Sequence, residues 1–565
     1  MERASLRGMS LFGVLAAALL AWAIWDGSPY GARVVATAGT YALLILGYHF
    51  IFGQVGALSL AQGTFFGLGA YVTAVCATRW GWGFEITFPL SILLPMAIAM
   101  LVAGSVLRLA SHYFALATLG IAQVILLIAI SWQDVTGGAT GLSGIPTVAV
   151  FGWSVPRGWP LAACIWSLVG VGVVLAARIN GGMRRIAFAA LREDPATAVA
   201  SGIDGARLRF LAFALSAAYG GAAGALHAHT VRVVSAQALD FGVMVTCLAM
   251  AVIGGRKHIA GALIGATLLV LLPEALRFLA DYSMLTYGAA LLVMIVVAPD
   301  GITGLLKERP LLSLPQAEPP PPKPSKGGLH IRGISKRFGG VIALDRVTLA
   351  VQSGEILGLI GPNGSGKTTL VNIATGFERA DRGEIDFANT NLSGLLPDEI
   401  ARRGIARTFQ APALVSDMTV LDTVAVATAS SQSSVPFSRV LAEAMSCLER
   451  MGIGATASRA CGSLSPGLRR NVEIARALAL QPSVLLLDEP AASLNEVEQS
   501  ELADRLRSLA AEGLAILLVE HNMPFLLGLS DRVACLDRGR IIAEGTAEAI
   551  RQNPDVIAAY FGTAP

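Results

Sequence analysis

Apolar stretches near the length of a bilayer crossing follow one another from the first residues to about position 306, and none of that length comes after. They lie at 9–25, 33–52, 56–77, 86–107, 112–132, 160–177, 210–230, 238–255, 259–280 and 282–298. A helix needs about 20 apolar residues to cross, so the pattern predicts a polytopic α-helical membrane domain with about ten spans. The glycine-rich 56–77 stretch is equally compatible with a re-entrant or broken segment. A cleaved signal peptide at 9–25 is disfavoured, because many more apolar stretches follow it. Composition agrees: 14 % of residues are charged, against about 25 % in soluble chains. The net charge of +3 is too small to argue for nucleic acid as a partner. The six cysteines are scattered, with no C-x-x-C pair, so neither a zinc site nor a disulfide framework is indicated.

Positive charge sets the orientation. With the N-terminus inside, the 178–209 loop is cytoplasmic and carries Arg178, Arg184, Arg185, Arg192, Arg207 and Arg209. Arg256, Lys257, Lys307 and Arg309 fall on the same side. The long 133–159 loop falls outside, with Arg157 its only basic residue. Small residues four apart, Gly63/Gly67, Gly220/Gly224 and Gly261/Gly265, fit close helix approach either inside one subunit or between subunits. Gln62, Gln123 and Glu274 are costly in lipid and are expected to face protein or a water-filled path, Glu274 with Arg277 as a possible i, i+3 partner. In the cytoplasmic loop, Ala190–Asp204, Asp194 suits an N-cap, Pro195 a first helical position and Gly202 a helix end. A short helix there is what a mechanical coupling element to an ATPase requires.

Leu311 to Gly328, containing PPPPKP, reads as an extended polyproline spacer. It divides the chain into a membrane domain (1–306), a proline-rich linker (307–328) and a cytoplasmic domain (329–565). In the last, GPNGSGKTTL (Gly361–Leu370) follows a hydrophobic run and precedes a helix-compatible stretch. This is a phosphate-binding loop in strand–loop–helix context. Gly361, Pro362, Asn363, Gly364, Ser365 and Gly366 turn backbone N–H groups inward around phosphates, and Thr369 continues the helix start. Lys367 neutralises the β/γ-phosphates and the Thr368 hydroxyl takes Mg²⁺. Asp488 and Glu489 end a buried strand, SVLLLDEP. An aspartate there suits Mg²⁺ through water, and the adjacent glutamate suits orientation and deprotonation of attacking water. His521 ends the strand LAILLVEH, where it can bond the γ-phosphate and that glutamate. Ser465 and Pro466 begin a helix running to about Leu480, whose N-terminus is a second anion site. That geometry makes sense if it caps a nucleotide bound by another subunit. Phe338 precedes a Gly339–Gly340 turn as an aromatic able to stack on adenine.

Both halves resemble known families. Tyr41–Val75, TGGATGLSGIP (Thr136–Pro146), and the run from ALREDP through LRFLAFALSAAYGGAAGALHAH to IAGALIGATLLVLLPEALR resemble branched-chain amino-acid ABC permeases. That likeness implies that the Ala190–Asp204 loop is the coupling helix, pressing into the groove around Gln410. The second half resembles the ATP-binding subunits of ABC transporters. The resemblance places Phe338 against adenine, Gly361–Thr369 as Walker A and Gln410 as the Q-loop residue, a further Mg²⁺ contact. It makes Asp488 and Glu489 Walker B, Ser493–Asn495 the D-loop and His521 the switch histidine. RTFQ, DEPAASLN, VEHNM and the closing AYFG are similar to the ATPase of branched-chain amino-acid importers in particular. LSPGL departs from LSGGQ: Ser465 and Gly467 remain, but Pro466 and Leu468 stand beside them.

The resemblance implies an α/β P-loop ATPase fused to a permease, importing branched-chain or similar amino acids with ATP and Mg²⁺ across the cytoplasmic membrane. It further implies a second permease subunit, a second ATPase subunit and an extracytoplasmic substrate-binding protein. Urea, amides and aromatic acids remain as alternative substrates. An exporter half-transporter is disfavoured by the short loops and the larger span count, and a non-transport ABC ATPase by the membrane half.

Overall fold

The computed structural model describes residues 28–275, 292–293, 296–298, 301–305 and 327–561, apart from 110, 151, 412–413, 417, 432–435 and 493. The apolar stretch at 9–25, most of that at 282–298 and the proline-rich stretch lie outside the described residues. Two units emerge: residues 1–192 with 206–308, and residues 193–205 with 309–565.

In the first unit, Ser28 caps helix α1 (Pro29–Tyr48) by accepting from the Gly31 N–H, with Pro29 at the first helical turn. A π-helical turn, His49–Gln54, extends it to a 26-residue span. The chain is irregular from 55 to 61, with Gly56 at φ +78°, before α2 (Gln62–Arg79). The stretch expected at 56–77 is therefore broken at its start. Helices α3 (Phe84–Val106), α4 (Ser111–Ser131), α5 (Trp159–Ile179) and α6 (Met183–Glu193) follow. After α7 (Pro195–Ala200), which belongs to the second unit, come α8 (Gly205–Val231), α9 (Phe241–Gly254) and α10 (Ile259–Ala275).

Among the described residues, five helices are long and apolar enough to cross a membrane, or six if one bent pair counts as a span. That pair falls on 238–255 and 259–280, expected as two crossings: Phe241–Gly254 and Ile259–Leu272 meet at 119°, the bend of a broken span or a re-entrant loop. The 14 residues of α9 rise about 21 Å, short of a hydrocarbon core of about 30 Å. Hydropathy alone does not separate two spans from one bent pair.

The paired glycines pack within this unit. A Cβ at Gly224 would meet the Phe66 carbonyl oxygen at 1.9 Å, and one at Gly265 the Met250 carbonyl oxygen at 1.9 Å. Backbones approach that closely only where no side chain intervenes. Gln62 is fully buried and satisfied: its amide donates to Leu44 O (3.0 Å) and Ser216 O (3.3 Å), and its Oε1 accepts from the Ser216 hydroxyl (2.5 Å). It ties α1, α2 and α8 together rather than lining a path. Tyr30 donates to Glu274 at 2.5 Å, while Arg277 lies outside the described residues. Gln123 is exposed on α4.

The second unit holds the ATPase half. Its antiparallel sheet, in the order β2-β1-β4-β5, comprises β1 (Leu329–Phe338), β2 (Val341–Val351), β4 (Arg382–Phe387) and β5 (Thr390–Asn391). Its larger sheet contains β3 (Ile356–Ile360), β6 (Ile405–Arg407), β7 (Val484–Asp488), β8 (Ala515–Val519), β9 (Arg532–Asp537) and β10 (Arg540–Gly545), in the order β6-β7-β8-β3-β9-β10. All its pairs are parallel except β9 with β10. Every residue of β3, β7 and β8 is buried, which explains their unbroken apolar sequences: a parallel sheet is covered on both faces, and residues of the antiparallel sheet share one core with these strands. The helices that matter below are α11 (Lys367–Ala374), α12 (Pro397–Arg402), α13 (Val420–Ser431), α14 (Phe437–Arg450), α15 (Pro466–Leu478), α16 (Glu496–Ala511), α17 (Met523–Leu529), α18 (Ala547–Gln552) and α19 (Pro554–Phe561).

Close glycine packing is testable in the first unit. Gly265→Leu forces α10 off α9 and should cost at least about 1–3 kcal/mol, lowering the thermal midpoint of the detergent-purified chain. Gly104→Leu, where an added Cβ meets nothing within 4 Å, should leave it unmoved. Equal midpoints for both variants contradict the packing.

Candidate active site

Parallel order brings four carboxyl ends of adjacent strands to one edge, where ligands of open α/β sheets bind. Register aligns them: Asp488 pairs with Val519 and Val519 with Leu359. The phosphate loop therefore leaves β3 level with Asp488 at the end of β7, with β8 between them. Glu520 and His521 follow β8, and Gln410 follows β6.

The loop has the conformation its glycines permit. Gly364 sits at φ +79° and Gly366 at φ +110°, both in the region that favours glycine. Helix α11 starts at Lys367, directly after the loop. The Lys367 Nζ donates to Gly361 O (2.7 Å) and Pro362 O (3.1 Å). Burial pushes this ammonium below the ordinary lysine range, while the Glu489 and Asp488 carboxylates pull it back. Ser365 is buried; Asn363 and Thr368 are exposed, and Pro362 and Thr369 half-buried.

Glu489 gathers the other candidates. Its Oε2 accepts from Gln410 Nε2 at 2.8 Å and its Oε1 lies 2.8 Å from His521 Nε2. Its backbone is held at φ +49°, with its N–H donating to Val519 O at 2.8 Å. A non-glycine residue in that region persists only where its surroundings fix it. Asp488 is buried, and burial raises its carboxyl above the usual range against the lowering pull of Arg407. Gln410, Glu489 and His521 thus form one hydrogen-bonded group beside Asp488 and Lys367.

The remaining candidates lie further out. Phe338 ends β1 with 48 % of its surface exposed, its ring 5.1 Å from Lys336 Nζ. Ser465 N-caps α15 by accepting from Leu468 N–H at 3.4 Å, with Pro466 at the first turn. Gly467 has a packing reason as well: a Cβ there would meet Glu498 Oε1 at 2.6 Å. Asn495 caps α16 reciprocally with Glu498; Ser493 lies outside the described residues.

The 193–205 segment, expected as the coupling helix, folds as part of this unit. Asp194 caps α7 by accepting from Ala196 N–H, Pro195 opens it, and Gly202 ends it at φ +77°. The Ser201 carbonyl accepts from the Ser430 hydroxyl and the Gly202 carbonyl from Arg402 (3.0 Å). These contacts fall on α12 and α13, the helices before and after the Gln410 loop.

Comparison with known proteins agrees with both halves. Residues 30–298 match the family model described as the permease component of branched-chain amino acid transport systems. Residues 344–492 match the ABC transporter model, and 540–565 that of the branched-chain amino acid ATP-binding cassette transporter. LivG of Salmonella typhimurium, a high-affinity branched-chain amino acid transport ATP-binding protein, is 41 % identical over 250 residues, covering 42 % of this chain and 98 % of that protein. This chain belongs to the branched-chain amino-acid ABC transporters. BraF of Pseudomonas aeruginosa, of the same description, is 38 % identical with the same coverage. A crystal structure of a nucleotide-free ATP-binding cassette is 32 % identical, covering 42 % of this chain and 99 % of its own, with a TM-score of 0.39. Permease and ATP-hydrolysing cassette thus share one polypeptide, and hydrolysis is coupled to transport.

Within the cassette, motif reading missed the residues that brace the site. Arg470 and Glu473 are both buried and paired at 2.7 Å. Arg470 also donates to Phe409 O (2.7 Å), Gln410 O (2.7 Å) and Glu489 O (3.2 Å), while Glu473 accepts from Phe409 N–H (2.7 Å). The signature helix α15 therefore holds the backbone of the Q-loop and of Glu489. Glu520 does similar work, accepting from the N–H groups of Ala491 (2.6 Å) and His521 (3.1 Å). The available signal was the i, i+3 spacing of Arg470, Glu473 and Arg476 along one helix.

Glu473→Ala leaves the Arg470 guanidinium buried without its carboxylate and should destabilise the cassette by about 3–5 kcal/mol. Hydrogen exchange of the β7 and β8 amides in the full chain reports this locally. The double variant Arg470→Met/Glu473→Leu should recover part of the loss. A single variant with unchanged protection contradicts the brace.

Proposed function

We propose that this chain drives uptake of branched-chain or similarly small hydrophobic amino acids across the cytoplasmic (inner) membrane. The observation that carries this reading is that the two halves separately match branched-chain transporter models. LivG and BraF, whose names specify branched-chain amino acid transport, support it from the ATPase side. The working division is a permease domain at 1–306, a linker at 307–328 and a cassette at 329–565.

In the cassette, Phe338 stacks on adenine and Gly361–Thr369 cradle the phosphates, with Lys367 neutralising them. Glu489, held by Gln410 and His521, takes a proton from the water that attacks the γ-phosphorus as the bridging bond to the β-phosphate breaks. A hydroxyl (Thr368), a carboxylate (Asp488) and the Gln410 amide oxygen are hard oxygen donors that fit Mg²⁺. That ion supplies neutralisation of developing phosphate charge when bound. Ser465 and Gly467 face a nucleotide held by another subunit. The chain has one Walker A motif and one signature, whereas a closed sandwich uses two of each. A second ABC ATPase supplies the other set, and a second permease and an extracytoplasmic substrate-binding protein complete the importer.

Proteoliposomes containing the full assembly should accumulate leucine when ATP and the binding protein are supplied. Glu489→Gln should abolish accumulation while retaining ATP binding, and Lys367→Ala should weaken binding itself. Leucine left outside while urea, an amide or an aromatic acid accumulates overturns the substrate. Undiminished turnover in Glu489→Gln overturns the role of that residue.

A further inference from the structure

The closing AYFG has no part in the chemistry above, yet its tyrosine reaches the phosphate loop. Helices α18 and α19 pack on β9 and β10, and β9 lies beside β3. From α19 the Tyr560 hydroxyl accepts from the Gly361 N–H at 2.7 Å, across 199 residues of sequence. Gly361 is the first residue of the loop and is constrained on every side. Its carbonyl takes the Lys367 ammonium at 2.7 Å. A Cβ on it would meet the Leu536 carbonyl oxygen of β9 at 2.1 Å. A buried backbone N–H needs a partner, and here the partner is a side chain from the far end of the chain.

We propose that Tyr560 is a positioning residue for nucleotide binding, pinning the peptide at which the phosphate loop leaves β3. The proposal rests on Gly361–Thr369 being the nucleotide cradle. Fixing the direction of the first loop peptide fixes where the following N–H groups point. A loop held in its binding conformation binds more tightly by the fraction of time it would otherwise spend elsewhere. Burial pushes the phenol up to about 12, so the hydroxyl stays neutral at any working pH and the contact does not titrate. Tyr560 touches neither nucleotide nor water in this account; it acts through Gly361.

The test is Tyr560→Phe in the full-length chain, which keeps the ring and removes only the acceptor. A net hydrogen bond of ordinary strength predicts a rise of about three- to tenfold in the Kd for ATP. The effect should fall on Kd and KM rather than on kcat. Ile557→Ala, an exposed position on the same helix, controls for loosening of α19 and should leave the Kd where it was. A Tyr560→Phe chain that binds ATP like the wild type overturns the proposal while the nucleotide site stands. An equal rise in Ile557→Ala also overturns it, since helix packing would then be the cause. A wild-type chain that binds no ATP overturns the nucleotide-site reading together with the proposal.

Discussion

A six-residue helix cannot complete itself, and α7 is completed by the ATPase. The last carbonyls of a helix have no partners within it. At the end of α7, Ser201 and Gly202 give theirs to Ser430 and Arg402. Gly202 permits this: a Cβ there would meet the Ser430 Oγ at 2.8 Å and the Arg402 Cγ at 3.3 Å. Arg402 is itself held by Asp398 at 2.5 Å. The result is that residues 193–205 fold with the cassette although the sequence on both sides folds with the permease.

The cassette side of this junction is continuous with the nucleotide site. Arg476 on α15 is buried, which pulls it below the usual arginine range, and the carboxylates of Glu473 and Asp194 oppose that pull. Glu473 pairs with Arg470, and Arg470 holds the backbone of Gln410 and Glu489. From the half-buried N-cap of α7 to the Glu489 backbone runs a chain of charged groups, of which Arg476, Glu473 and Arg470 are buried. Such a network resists partial rearrangement, because a buried charge without its partner is expensive. It ties α15 to the backbone of Gln410 and of Glu489.

Much of this was legible in the sequence where local chemistry dictates local geometry. Asp194, Pro195 and Gly202 marked the ends of α7 because capping, proline at the first turn and a left-handed glycine are short-range effects. Gly364, Gly366 and Lys367 marked the phosphate loop for the same reason, and the apolar runs of β7 and β8 marked strands. What stayed hidden depends on residues distant in sequence. Nothing near Arg470 announces that it reaches Phe409, and nothing near Tyr560 announces Gly361. The bent pair at 241–272 read as two crossings because hydropathy measures length and polarity, not direction. The glycine pairs were compatible with contacts inside or between subunits, and the internal backbone contacts of Gly224 and Gly265 decide for the former.

The central claim is that α7 carries force between the two activities, and Ala198→Pro tests it most directly. Ala198 is fully buried and its N–H donates to Asp194 O at 3.0 Å; proline removes that bond and costs about 3 kcal/mol locally. Uptake and basal ATP hydrolysis should be measured side by side on the reconstituted assembly. The account predicts that uptake falls far more than hydrolysis, with ATP binding retained. Wild-type uptake from a correctly inserted Ala198→Pro chain would contradict it.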